Sequence, residues 1–250
     1  MLFWKLITHS FRQVLGNLKA AIIAFVPLII VLLVATVLGL WTINAELNPR
    51  YIWVGFTVGF LASLVTSVWG VVAWHRYILL EERMNGPFPR FNAPRILAYV
   101  GILIFVYLVA LLMLFVVATV MSIAVSILGS SLNPKVTTFI VLVGVIIFGS
   151  GFGVFFVRLS LMLPAVAIDS GKKFPEIRDA TQGQFWTIFG AILTLSLLGG
   201  MGSLVFQWVS SSFPILGIAL TLLFQIFLAI VQVSFLTTLY GYYVEKRQLI

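Results

Sequence analysis

Long apolar runs are the feature that most restricts the fold of this 250-residue sequence. A helix that crosses a bilayer needs about 20 predominantly apolar residues. Six stretches satisfy this condition, at residues 20–43, 52–74, 96–120, 137–157, 186–206 and 214–240. The sequence therefore predicts an all-α polytopic membrane protein with six transmembrane helices.

The composition indicates one membrane domain over residues 1–250. Hydrophobic residues make up 62% of the chain and charged residues only 9%, whereas soluble domains have about 25% charged residues. So few charges could not cover a water-facing surface. The segments between the apolar runs also leave no room for a soluble catalytic domain.

Positive charge is concentrated on one side of the predicted membrane. Only Arg50 and Lys135 lie on the other side, so thirteen of the fifteen basic residues share one side. Because basic loops remain in the cytoplasm, we expect both termini to be cytoplasmic. The net charge of +8 then indicates contact with anionic lipids rather than with nucleic acid.

Three short gaps between the runs are typical of tight turns on the outer side. They are 44–50, 129–135 and 207–214, and each contains Pro together with Asn or Ser, residues that favour turns. The six helices would thus form three parallel hairpins that begin and end inside. Ancestral triplication and a common need of hairpins for similar ends both explain this pattern.

Two further segments are predicted at the inner interface. Residues 2–18 form an amphipathic helix with Leu6 and Val14 on the apolar side and Gln13 on the polar side, a pattern typical of interfacial helices. Residues 159–169 are apolar but follow Arg158, and Pro164 interrupts a plain helix. We expect this second segment to run along the headgroups as far as Gly171.

Polar residues inside the spans are few. Thr221, Gln225 and Gln232 lie on one face of the sixth helix, at spacings of four and seven. A glutamine amide in hydrocarbon needs a partner, so this stripe should face the bundle or a wet cavity. Hydrogen bonding between helices and a substrate path both explain the stripe.

Candidate chemical groups give no recognisable catalytic set. His9 and His75 could pair at a haem or metal, but with no cysteine in the chain the set of ligands is thin. Asp169, Glu176 and Asp179 could serve an enzyme that acts on a lipid headgroup, yet no nucleophile and base accompany them. We therefore expect no cofactor and no enzymatic activity.

Most residues with a candidate binding role are expected at the inner surface. Trp74 would be an interface aromatic residue, and Arg76 and Arg158 would extend their charges to the headgroups. The full set of candidate interface residues is Trp74, His75, Arg76, Arg158, Asp169, Lys172, Lys173, Arg178 and Trp186.

One segment resembles a known family. The stretch "VRLSLMLPAVAIDSGKKFPEIRDATQGQFWTIFG" (157–190) is similar to the membrane domain of some bacterial glycerophosphoryl diester phosphodiesterases, and to stand-alone six-helix inner-membrane proteins of unknown function. The matching positions are Arg158, Leu159, Leu163, Pro164, Ala165, Asp169, Ala180, Thr181, Gly183, Phe185 and Trp186. "AWHRYILLEE" (73–82) also resembles the stand-alone proteins.

The resemblance implies a lipid-facing helical domain in a bacterial inner membrane, and we expect this chain to act without the family's soluble catalytic domain. We expect a non-enzymatic accessory, scaffold or assembly protein, or one that organises lipid or the envelope. Its working surface would be formed by residues 1–18, 76–95 and 158–186. The alternative is a small transporter or lipid-translocating protein that uses the glutamine stripe. Expected partners are membrane lipids, with another membrane protein or a second copy of the chain as further options.

Overall fold

The architecture is a bundle of α-helices. The structure is a computed structural model that describes residues 1–44, 49–84, 86–129 and 133–249. Its helices are α1 (Leu2–Gly16), α2 (Leu18–Asn44), α3 (Pro49–Leu80), α4 (Ala93–Gly129), α5 (Pro134–Ser160), α6 (Met162–Ala167), α7 (Phe174–Ala180), α8 (Phe185–Ser212) and α9 (Pro214–Leu239), followed by a π-helical turn at Tyr240–Val244.

The predicted all-α, six-span architecture is confirmed. Six helices in the described ranges are long and apolar enough to cross a membrane, and those ranges contain no β-strand. The predicted second span ends at residue 74, but helix α3 continues to Leu80. The predicted turn at 207–214 is shorter than expected, since only Phe213 separates α8 from α9. The other two turns include positions 45–48 and 130–132, which lie outside the described residues.

Three helical hairpins make up the membrane-spanning part. They are the consecutive pairs α2–α3, α4–α5 and α8–α9, and the two helices of each pair are in contact. Contacts also join α3 to α4, α5 to α8, and α9 back to α3. Helices α3, α4, α5, α8 and α9 therefore form a closed ring, and α2 packs on α3.

The core lies at the end of the bundle that holds both chain termini, here called the basal end. The fully buried side chains there include Leu6, Trp74, Leu161, Ile177, Leu239 and Tyr240. Toward the opposite, distal end, large apolar side chains such as Leu33, Phe56 and Leu112 are exposed. The hairpins are thus joined at the basal end, and their distal halves present the apolar surface expected of helices in lipid.

Helix α1 is amphipathic as predicted, but its apolar face packs on protein instead of lying in the interface. Leu6, Ile7 and Val14 are buried, and α1 contacts α8 and α9. The seven-residue α7 and the C-terminal turn contact each other beside it. The apolar side chains of α1 therefore complete the basal core.

The segment that follows α5 also enters the core. The helix breaks at Leu161, and Pro164 is the third residue of α6, where its missing N–H removes no hydrogen bond. The predicted break and the end near Gly171 are correct, since Asp169 and Gly171 have φ values of 58° and 70°. The expected headgroup location is wrong, because Leu163 and Ala167 are buried against α3 and α4.

Glycine allows close packing at the basal end of the α2–α3 hairpin. A Cβ on Gly70 would lie 2.8 Å from the Ala24 carbonyl oxygen and 2.8 Å from the Phe25 ring. Gly55, near the distal end of α3, has no atom within 4 Å of the same position. Close helix packing on small residues, which is common in membranes, therefore occurs at Gly70 and not at Gly55.

Replacing each of these two glycines by alanine should distinguish the effect of helix packing on stability from the effect of helix propensity. Gly70→Ala should destabilise the protein by about 1–3 kcal/mol, because the methyl group forces α2 away from α3. Gly55→Ala is the matched control and should leave stability unchanged or raise it slightly. Thermal unfolding in one detergent measures both variants, and equal melting temperatures would contradict this packing.

Candidate functional site

His75 lies at the centre of a buried hydrogen-bond network that joins α3, α4 and α9. Its Nδ1 is 2.8 Å from Thr237 Oγ1, and the Tyr99 hydroxyl is 3.5 Å from its Nε2. When Thr237 donates to the Val233 carbonyl at 2.9 Å, its oxygen accepts a hydrogen bond from the Nδ1–H of His75. His75 and the adjacent Trp74 are both fully buried, so their predicted place at the membrane surface is wrong.

A second polar cluster joins α1 to α9. Gln13 Oε1 accepts hydrogen bonds from Ser234 at 2.7 Å and from Thr238 at 3.1 Å, and its amide nitrogen lies 3.0 Å from His9 Nε2. Ser10 lies 3.1 Å from the Thr238 hydroxyl. The sequence pattern predicts Gln13 on the polar side of α1, but it does not predict the Ser and Thr hydroxyl groups that Gln13 meets on α9. The spacing of Ser234 and Thr238, one helical turn apart, was the available signal.

The two arginines that were expected to reach the headgroups bind backbone carbonyls instead. Arg76 donates to the Ala167 carbonyl at 3.1 Å and to Glu82 at 2.6 Å. Arg158 donates to the Thr181 carbonyl at 2.9 Å. These carbonyls lie at the C-terminal ends of α6 and α7, where helices have unsatisfied acceptors and favour cations. The two side chains therefore hold the short helices in place.

The acidic residues of the segment after α5 are all paired. Asp169 accepts two hydrogen bonds from Arg95, Glu176 pairs with Lys172 at 2.6 Å, and Asp179 pairs with Arg178 at 3.2 Å. The hydrogen bond between Lys172 and Glu176 lowers the pKa of the carboxyl group and raises the pKa of the ammonium group. The Glu176 carboxylate therefore remains ionised at neutral pH.

Several side chains of the segment between α5 and α8 are exposed. Lys173 is exposed, and the Trp186 side chain is 76% exposed at the start of α8. Lys172, Arg178 and Asp179 are also exposed. Of the candidate interface residues, those on α7 and at its two ends are therefore accessible, whereas Trp74 and His75 are not.

A polar cavity of about 280 Å³ lies between α1, the end of α3 and the C-terminal tail. Its walls include His9, Gln13, Thr237, Thr238 and Arg247. Arg247 donates to the Leu79 carbonyl and ties the tail to the end of α3. His9 and His75 have separate partners, and the described residues contain no group of three or more His, Cys, Asp or Glu side chains that could hold a metal ion.

The glutamine stripe is exposed instead of packed. Gln225 donates to the Ser203 hydroxyl on α8 at 2.9 Å, and Thr221 donates only to the Gly217 carbonyl of its own helix at 2.7 Å. Gln225 and Gln232 are both exposed. Leu236, one turn below Gln232, packs against the cluster formed by α3, α4 and α6. Gln232 therefore lies on the side of α9 that faces the other ring helices.

Comparisons with known proteins give no relative. No family model matches the chain, and neither the curated proteins nor the solved structures contain a match. The resemblance to the membrane domain of phosphodiesterases therefore stays a prediction.

Substitutions of two threonines on α9 can measure how much the His75 hydrogen-bond network contributes to the free energy of unfolding. Thr237→Val should lower the free energy of unfolding by about 1–3 kcal/mol, because it leaves a buried imidazole N–H without an acceptor. Thr221→Val is the control, since its hydroxyl bonds only its own helix.

Thr237→Ser restores the acceptor and should recover most of the loss. Chemical denaturation in micelles measures the three variants. If Thr237→Val and Thr221→Val were equally stable, the network would not support the basal core.

Proposed function

We propose that the protein is a non-enzymatic accessory or scaffold protein of a bacterial inner membrane that acts in lipid or envelope organisation. Its working surface is the collar, defined as residues 1–18, 76–95 and 158–186. The observation that carries this proposal is the division of polar groups within the collar. Within the collar, Arg76 and Arg158 donate to backbone carbonyls of the fold. Lys173 and Trp186, in contrast, are exposed.

The distribution of charge supports a cytoplasmic location for the collar. Thirteen of the fifteen basic residues belong to segments at the basal end, and the other two, Arg50 and Lys135, begin α3 and α5 at the distal end. The positive-inside rule then places the basal end and both termini in the cytoplasm. Exposed cations there would meet anionic lipid headgroups or an acidic surface of another membrane protein.

The electrostatics of the collar support a structural role over a catalytic one. A general acid or base works best with a pKa near the working pH, whereas the carboxyl group of Glu176 has its pKa lowered by Lys172. Asp169 is fixed by Arg95 and contributes a left-handed residue to the chain reversal after α6. Both carboxylates have clear structural functions.

Retention of partners tests the scaffold proposal. The protein should be extracted with native lipid by a polymer, and bound lipids and proteins identified by mass spectrometry. The double variant Lys173→Glu, Trp186→Ala should lose at least one specific partner, because it reverses a charge and removes the exposed aromatic anchor.

Lys135→Glu is the matched control at the distal end and should retain the same partners as the wild type. A wild-type protein isolated with neither lipid nor partner would contradict the proposal. So would equal retention by the two variants.

We also propose a second candidate function, movement of a lipid or another small amphiphile, which the exposure of the glutamine stripe favours. Polar side chains inside a membrane usually face partners or water. Gln225 and Gln232 lie within the span of α9 and remain exposed, on the side of α9 that faces the ring. A polar group could be carried past these amides while its apolar tails stay in lipid.

Single cysteines can test this candidate, because the natural chain has none. If water reaches the stripe from outside, Gln232→Cys should react in intact cells with a membrane-impermeant maleimide. Leu223→Cys, on an exposed apolar part of α9, should not react. Lys173→Cys should react only in broken cells, which also checks the orientation. Absence of reaction at position 232 under every condition would exclude an aqueous path at that site.

A further inference from the structure

A second basal cavity lies where α1 passes into α2. It has a volume of about 380 Å³, and its walls include Asn17, Lys19, Ile23, Tyr77, Arg83 and Met84. The cavity is separate from the exposed face of α7 that the proposed function uses. It combines two cationic side chains with apolar residues, so its chemistry suits a ligand that is anionic at one end and apolar at the other.

Hydrogen bonds give this cavity a fixed wall. The Tyr77 hydroxyl donates to Asn17 Oδ1 at 2.8 Å, which joins the α1–α2 junction to α3. The Asn17 amide nitrogen donates to the Gln13 carbonyl at 2.9 Å, which joins it to α1. Because the wall rests on helices that are also part of the basal core, it is already formed before a ligand binds.

The two cations of the cavity differ from the other collar arginines. Arg76, Arg95 and Arg158 are each bound to a carboxylate or a carbonyl. Lys19 and Arg83 are exposed, and within the described part of the chain neither side chain forms an ion pair. Glu82, the neighbour of Arg83, is held by Arg76 at 2.6 Å, and no acidic residue is among those lining the cavity. The cavity therefore presents positive charge that the fold does not neutralise.

The position of the cavity relative to the first span selects a lipid as the source of the anion. The apolar span begins at Leu18, so Lys19 lies at the boundary of the hydrocarbon, at the depth of headgroup phosphates. Ile23 follows one turn further into the span, and Ile22 beside it is exposed. Acyl chains could extend along this surface from a phosphate held at the cavity.

We propose that this cavity is a binding site for the phosphate group of an anionic phospholipid, with Lys19 and Arg83 as its cationic contacts. Arg83 can engage two phosphate oxygens through its planar fork, and Lys19 supplies a point charge from the facing helix. The bound lipid links the α1–α2 junction to the segment that follows α3. The site rests on the proposed function and deepens it, because Asn17, Tyr77 and Arg83 belong to the collar. It names an anionic phospholipid as one ligand of that surface and does not use the exposed residues of α7.

Lipid titration of two matched double variants tests the site. Purified protein in a neutral detergent is titrated with phosphatidylglycerol or with phosphatidylcholine, and binding is followed by native mass spectrometry and by the melting temperature. Phosphatidylglycerol should bind and raise the melting temperature of the wild type more than phosphatidylcholine does. Lys19→Gln, Arg83→Gln should weaken phosphatidylglycerol binding about thirtyfold, as expected for the loss of two basic contacts.

Lys135→Gln, Lys246→Gln removes the same charge from exposed positions outside the collar and should bind like the wild type. Equal weakening in both variants would show a nonspecific charge effect and overturn the site. An equal shift with soluble glycerol phosphate would overturn the assignment to a lipid.

If Lys19→Gln, Arg83→Gln unfolds without lipid, the single variants Lys19→Gln and Arg83→Gln should stay folded, and each should weaken phosphatidylglycerol binding about fivefold. Binding as tight as that of the wild type in both folded single variants would overturn the site. Loss of binding at positions 19 and 83 with unchanged partner retention would separate this site from the scaffold function.

Discussion

The hydrogen bonds of α9 with α1 and α3 are the interactions on which the rest of the structure depends. In lipid there is no hydrophobic force to bring apolar helices together, so association relies on close packing and on polar contacts. Ser234 and Thr238 bond to Gln13 on α1, and Thr237 bonds to His75 on α3. These contacts connect the N-terminal helix, the first hairpin and the last hairpin at one end of the bundle.

This basal network explains why the two ends of the molecule differ. Arg76 and Arg158 bind the C-terminal carbonyls of α6 and α7, so the short helices close the bundle from below. In the distal halves of the helices, Gln225 of α9 bonds to Ser203 of α8, and the apolar side chains are largely exposed. Buried polar contacts are therefore concentrated at the end of the bundle where most of the charge lies.

The same division accounts for the two places where ligands are proposed. Lys19 and Arg83 form no ion pair within the described residues. The cavity that they line lies at the start of the first apolar span. Gln225 and Gln232 lie on α9 between the basal core and the distal end, and both side chains are exposed. One site would recognise a phosphate by charge, and the other could offer hydrogen bonds to a polar group without charge.

The sequence by itself determined the helical class, the six spans and the grouping of basic residues, because long apolar runs and charge position act locally along the chain. It also located the break near Pro164 and the chain reversal at Asp169 and Gly171. Only the tertiary structure decided the surroundings of Trp74, His75, Arg76 and Arg158. A histidine or arginine at the end of an apolar run has the same sequence pattern whether it faces headgroups or a neighbouring helix. Its burial depends on partners, such as Thr237 and the Thr181 carbonyl, that are distant in the chain.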